Sequence, residues 1–266
     1  MHCCKKSPLN GSSALNDAIQ EALLELERAH EVHVLLAVES GSRAWGFASP
    51  DSDFDVRFVY VHARDWYMTV AERRDVIESM LPGDLDLSGW ELRKTLRLFA
   101  KCNLALNEWL GSPVQYKIEP RFLAQMKSLI PDYFNPIAAL FHYRKMASHA
   151  LREGLTGNRI SMKKLFYVWR ALLACRWVRH SATQPPTEFS RLTEAAWVTP
   201  AEKEELGELL VRKGVAQERE AVLLDSARLA RLERELVEHE EAGASLHVPA
   251  RPGTEKLDRV FREWAV

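Results

Sequence analysis

Glu39-Ser40-Gly41-Ser42-Arg43-Ala44-Trp45-Gly46-Phe47-Ala48-Ser49-Pro50-Asp51-Ser52-Asp53-Phe54-Asp55 is the stretch on which the fold of this 266-residue chain turns. Just before it lies Val32-His33-Val34-Leu35-Leu36-Ala37-Val38, an apolar run short and β-branched enough to be a buried strand. At Gly41-Ser42 a chain leaving that strand must turn sharply and can open a short helix. Asp53 and Asp55 follow a spacer of ten residues and lead into a second apolar-leaning run over 56–61. Residues two apart in a strand share a face, so the two aspartates present their carboxylates side by side at a strand's start.

Carboxylates held together repel each other unless something cationic sits between them. A hard divalent cation, Mg²⁺ or Mn²⁺, suits an all-oxygen site and keeps room for substrate phosphates. Gly41 and Ser42 offer the phosphates backbone N–H groups, a hydroxyl and no bulky side chain. Phosphate holder and metal holder on adjacent strands make a nucleoside-triphosphate site, fit for nucleotidyl or phosphoryl transfer. Asp-x-Asp among Ser and Pro is by itself a common turn; the defined gap from Gly-Ser and the flanking strands set this one apart.

The string Gly41-Ser42-Arg43-Ala44-Trp45-Gly46 with Ser52-Asp53-Phe54-Asp55-Val56-Arg57 resembles the signature of the DNA-polymerase-β-type nucleotidyltransferase superfamily. Within it, the chain is similar to the branch of predicted nucleotidyltransferases associated with RNA ligases. Asp86-Leu87-Ser88-Gly89-Trp90-Glu91, Glu108-Trp109-Leu110-Gly111-Ser112-Pro113 and Lys163 to Arg170 carry the same resemblance, with Glu91 where the family usually has Asp. The resemblance implies a polymerase-β-like palm, an NTP substrate, RNA as acceptor and functional association with an RNA ligase. It also implies a third carboxylate from a later strand.

That carboxylate is expected to be Asp86. In Asp84-Leu85-Asp86-Leu87-Ser88 the alternation places Asp86 on the face opposite Leu85 and Leu87 in a third core strand. Helical periodicity begins at Glu91, with Leu92, Leu96 and Phe99 on one side and Lys94, Arg97 and Lys101 on another. Ser88 is expected to cap this helix, which would bring Lys94 and Arg97 near the carboxylates to meet triphosphate oxygens. Val114 to Ile118 suggests an edge strand. Beyond Pro120 the pattern is almost entirely helical, with Pro131 and Pro136 as punctuation. On the long helix over 161–179, Lys163, Tyr167 and Arg170 share a face that could grip a base or a phosphate tail.

The net charge of −1 hides a segregation. Residues 1–90 carry 8 Lys and Arg against 15 Asp and Glu, residues 91–180 carry 16 against 5, and residues 181–266 carry 12 against 17. A basic middle beside a carboxylate site suits a polyanion, and Arg144, Lys145 and Arg152 are the surplus cations a polynucleotide would use. No apolar run is long enough for a membrane span and no signal-peptide core follows Met1. The four cysteines show no metal or disulfide spacing, so a cytoplasmic protein without membrane contact is expected.

These readings combine into an α/β nucleotidyltransferase (polymerase-β-like palm) domain over residues 1–118, including an N-terminal tail and helix, followed by an α-helical domain over 119–266. The expected reaction moves a nucleoside monophosphate from an NTP such as ATP to an acceptor hydroxyl or phosphate. Asp53, Asp55 and Asp86 hold Mg²⁺ and act in catalysis, while Gly41, Ser42, Arg43, Lys94, Arg97, Lys163, Tyr167 and Arg170 hold the nucleotide. A small-molecule or protein acceptor stays open, as does a nucleotide- or RNA-binding module without turnover.

Overall fold

The fold is that of a computed structural model, which describes residues 12–50, 52–82, 84–215, 220–247, 249–250 and 252–265. The tail expected over 1–12 lies outside the described residues except for Ser12, which opens the first helix. The described chain runs α1 (Ser12–His30), β1 (Val32–Glu39), α2 (Gly41–Trp45), β2 (Phe54–His62), α3 (Arg64–Tyr67), β3 (Val76–Leu81), β4 (Leu85–Glu91), α4 (Leu92–Phe99), α5 (Leu104–Leu110) and β5 (Gln115–Ile118). It continues through α6 (Pro120–Tyr133), α7 (Pro136–Gly154), β6 (Leu155–Thr156), β7 (Arg159–Ser161), α8 (Met162–Ser181) and α9 (Phe189–Thr193). The remaining elements are α10 (Pro200–Val215), β8 (Ala221–Leu223), α11 (Ser226–Ala242) and α12 (Glu255–Trp264).

The first five strands form one sheet in the order β3-β4-β2-β1-β5. β2 and β4 are parallel, and the other neighbours are antiparallel. Alternation sorts the side chains of β2 to two faces. Val56, Phe58 and Tyr60 pack with Ile19 and Leu23 of α1, whereas Val59 and Val61 pack with Leu92 and Leu96 of α4, Phe122 and Met126 of α6, and Leu257 and Val260 of α12. A third core joins α7 and α8, and it takes in Ala44 and Trp45 of α2 and Phe47 just after it. The turn after β1 is therefore wedged between the sheet and the helical half.

Several details differ from expectation. β6, β7 and β8 form a small second sheet inside the helical part, where helices alone were expected. α6 runs through Pro131 to Tyr133, because a proline in the last turn costs little helical bonding beyond its own N–H. Ser88 does not cap α4: it lies inside β4, and the Glu91 carboxylate takes the capping role by accepting from the N–H groups of Arg93 and Lys94 at 2.8 and 3.1 Å. β5 is the expected edge strand, and α6 and α12, which come later in the chain, pack on the same sheet.

Candidate active site

β1 ends at Glu39, and the backbone then turns through Gly41, whose φ of 61° lies in the left-handed region that favours glycine. A Cβ on Gly41 would also stand 2.6 Å from Oδ2 of Asp55. Both facts require glycine here and lay the backbone of the turn against that carboxylate. The ends of the two strands are tied together as well. The Ser40 N–H donates to the Asp55 carbonyl at 2.8 Å, and the Asp55 N–H donates to Oε1 of Glu39 at 2.8 Å. Glu39 is 1% exposed and also accepts the Tyr116 hydroxyl. Burial raises its pKa, the Asp55 charge adds to that, and the two hydrogen bonds oppose it.

In the parallel pairing of β2 with β4, Asp55 stands directly beside Asp86. A single guanidinium nitrogen, Nη2 of Arg57, reaches Oδ1 of Asp55 at 2.9 Å and Oδ2 of Asp86 at 2.8 Å. Asp53, one residue ahead of β2, is exposed. Among the described residues no group of three or more His, Cys, Asp or Glu side chains is gathered as a metal cage. Asp55 and Asp86 instead share one cation, the Arg57 guanidinium, and Asp53 is not part of that pairing.

The chain on either side of residue 51 is held from two directions. Arg43 donates from Nε to the Asp53 carbonyl at 3.0 Å and from Nη2 to the Ser52 carbonyl at 2.7 Å, with its guanidinium 3.6 Å from the centre of the Phe54 ring. Lys213 of α10, 1% exposed, brings Nζ to 3.4 Å from Oγ of Ser49. Arg43 was expected to hold nucleotide, and these bonds give it to the loop instead. The remaining observation is one of sequence: the model of the RNA repair pathway DNA polymerase beta family, RlaP, matches residues 15–263.

The chain belongs to this family. Its fold class is accordingly that of a polymerase-β-like nucleotidyltransferase, an α/β sheet layer followed by a helical part. Over 247 residues it is 39% identical to the uncharacterised protein YcgL of Bacillus subtilis (strain 168), covering 93% of this chain and 95% of YcgL. A nucleotidyltransferase-like protein of known crystal structure from Exiguobacterium sibiricum 255-15 is similar at 12% identity and a TM-score of 0.29, over 92% of this chain and 80% of that one.

Not every residue expected at the site of this RNA repair pathway family member lies there. Asp86 is the second residue of β4 and α4 starts at the strand's other end, so five residues of strand, about 16 Å, separate Asp86 from Glu91 and the helix beyond. Lys94 pairs there with Asp75 at 2.8 Å, and with Arg97 it lines a cavity of about 300 Å³ beside Trp66 and Tyr67. Both are corrected away from the carboxylates. Arg170 is also corrected: it is 1% exposed and pairs with Oε1 of Glu108 at 3.0 Å, stacked 4.2 Å from the centre of the Trp45 ring. Oε2 of Glu108 accepts Trp45 Nε1–H at 3.1 Å. Tyr167 stands edge-on to Trp45 with ring centres 4.9 Å apart, and Lys163 is half-buried in the first turn of α8. Arg170, Glu108 and Tyr167 brace α2 from behind through Trp45. Ser42, 7% exposed, belongs to the turn itself.

Two residues at the site carried no expectation. Arg57 lies two places after Asp55 on one strand, so the same alternation that pairs the aspartates would have found it. Glu39 could have been suspected as an acid closing a buried strand.

Proposed function

We propose that this chain transfers a nucleoside monophosphate from an NTP to an acceptor hydroxyl or phosphate on RNA, with Mg²⁺ or Mn²⁺ bound by Asp53, Asp55 and Asp86. The observation that carries this reading is the register of Asp55 beside Asp86, both reaching one cation, with the Gly41 backbone against the first of them. The donors are carboxylate oxygens alone, which is the chemistry a hard divalent cation takes. A bound cation would supply neutralisation of the charge that builds on the transferring phosphate.

The protein's own groups do the rest. The Gly41-Ser42 backbone, which runs against Asp55 with no side chain at Gly41, is the part that would receive the phosphate oxygens. Asp86 receives the proton of the acceptor hydroxyl as its oxygen attacks the α-phosphorus. The bond from that phosphorus to the bridging oxygen breaks, and pyrophosphate leaves. RNA as the acceptor is supported by the family's name and by the basic middle of the chain, and the family resemblance supports action beside an RNA ligase. Among the described residues no helix is long and apolar enough to cross a membrane.

A nucleotide-binding module without turnover is the second reading, favoured by the guanidinium standing between the carboxylates. Asp53→Asn and Asp55→Asn separate the two. With α-labelled NTPs, Mg²⁺ and total RNA, each is expected to lower label transfer at least about 100-fold while the protein stays folded. Absence of any transfer by the unmutated protein to RNA, protein or small hydroxyl compounds would favour the binding module.

A further inference from the structure

The Arg57 guanidinium has four acceptors around it. Nη2 meets Asp55 and Asp86, and Nη1 donates to the carbonyls of Val56 and Asp86, both at 3.2 Å. It is largely buried at 19% exposure, and the carboxylates it joins come from neighbouring parallel strands. A monovalent cation therefore already satisfies the charge of the pair that the proposed metal would use. Divalent metal and guanidinium compete for the same oxygens, because like charges cannot both sit between them at hydrogen-bond distance.

We propose that Arg57 is a resident counter-ion that holds Asp55 and Asp86 together in the metal-free protein and must leave them for a divalent cation to bind. This rests on the assignment of those aspartates as metal ligands. Two consequences follow from the displacement. Metal alone binds weakly, since two ion pairs are lost and the released guanidinium has no new anion. With NTP present the triphosphate offers that anion, so metal and nucleotide bind cooperatively, and Arg57 is a positioning residue that creates the coupling.

The test is Mn²⁺ binding, followed by electron paramagnetic resonance on the full chain without nucleotide, for the unmutated protein, Arg57→Gln, Arg57→Lys and Asp55→Asn. Arg57→Gln is expected to bind Mn²⁺ about tenfold more tightly, the scale of two partly screened ion pairs. Arg57→Lys, which keeps a cation, should remain within about threefold of the unmutated protein on the same argument. Arg57→Gln should also melt lower in EDTA and recover on adding Mn²⁺, an effect that simple loss of packing would not reverse. Asp55→Asn should bind more weakly. If it does not, the metal-site assignment itself fails. If it does, and Arg57→Gln binds no more tightly than the unmutated protein, only the counter-ion role is overturned. Should Arg57→Gln not fold, the side-chain Nε–H resonance of Arg57 in the unmutated protein decides. Displacement requires it to shift on saturation with Mg²⁺, and an unmoved resonance overturns the inference.

Discussion

Gly41 is a residue with little freedom. Its positive φ would strain any residue with a Cβ by about 1–2 kcal/mol. The added carbon would also press on Oδ2 of Asp55 at 2.6 Å, and that carboxylate is already held through Oδ1 by Arg57 at 2.9 Å. Gly41→Ala should therefore damage the site more than the fold. We expect about 1–2 kcal/mol less stability by urea unfolding, the strain just given, and at least about 100-fold less transfer, as displacement of a phosphate or metal group by a fraction of an ångström implies. Equal transfer would show that the turn is not where phosphate sits. At this scale the period of two in a strand made the face taken by Asp86 legible, whereas its joining Asp55 was an expectation of the family resemblance and its register is visible only in the structure. The Arg170–Glu108 pair was not, because its partners are 62 positions apart and no local period links them. A cation at i, i+4, i+7 with a tyrosine looks the same on the sequence whether it faces a ligand or a buried acid.

At the scale of elements, one polar joint ties three helices together away from the site. Arg176 of α8 donates from Nε to Oε1 of Glu235 on α11 at 2.6 Å and pairs through Nη2 with Glu202 on α10 at 2.9 Å. His239, one turn on from Glu235, comes within 3.2 Å of the same carboxylate. Burial alone would raise the Glu235 pKa, but the Arg176 and His239 bonds outweigh it and lower it to about 2. A depressed carboxylate adds stability that is complete above its unfolded value, near 4.5, and is lost as pH falls toward 2. Glu235→Gln is expected to cost about 3 kcal/mol at pH 7, because it leaves the Arg176 guanidinium with Glu202 as its one remaining carboxylate partner. The gap to the unmutated protein should close between pH 4.5 and 2, read by urea unfolding across that range. A gap that stays constant with pH would mean lost packing rather than lost charge. The elements themselves were largely legible: the strands around Gly41-Ser42 and Asp55, the edge strand and the long helix α8 fall close to where periodicity put them. What misled was direction. A helix that follows a strand begins at the strand's far end, so Lys94 and Arg97 moved away from Asp86 once β4 was seen to run from one to the other.

For the whole molecule, the segregation of charge along the chain takes on a second meaning. The basic middle supplies Lys94 and Lys117 to Asp75 and Glu27 in the acidic first third, and Arg121, Arg144 and Arg176 to Glu263, Glu240, Glu202 and Glu235 in the acidic last third. Opposite charges distant in sequence thus become partners in the fold, and these pairs take up part of the excess that suggested a polyanion. Arg144 shows this most directly. Both of its terminal nitrogens bond the Glu240 carboxylate of α11 at 3.0 Å, so it joins α7 to α11 rather than waiting for RNA. Lys145, the next residue, is exposed. Neutralising the two should therefore have opposite effects. Arg144→Gln is expected to lower stability by up to about 1 kcal/mol, the range for a partly exposed bidentate pair, and to leave RNA affinity unchanged. Lys145→Gln should leave stability within about 0.5 kcal/mol, as most surface substitutions do. If α7 faces RNA, that substitution should also reduce the slope of log affinity against log salt by about 0.7–0.9 for the one phosphate contact removed. Filter binding over a range of salt, paired with thermal melts, reads both quantities. Should Arg144→Gln flatten the salt slope while stability holds, the ion pair with Glu240 yields to RNA, and the charge pattern would serve both the fold and the acceptor.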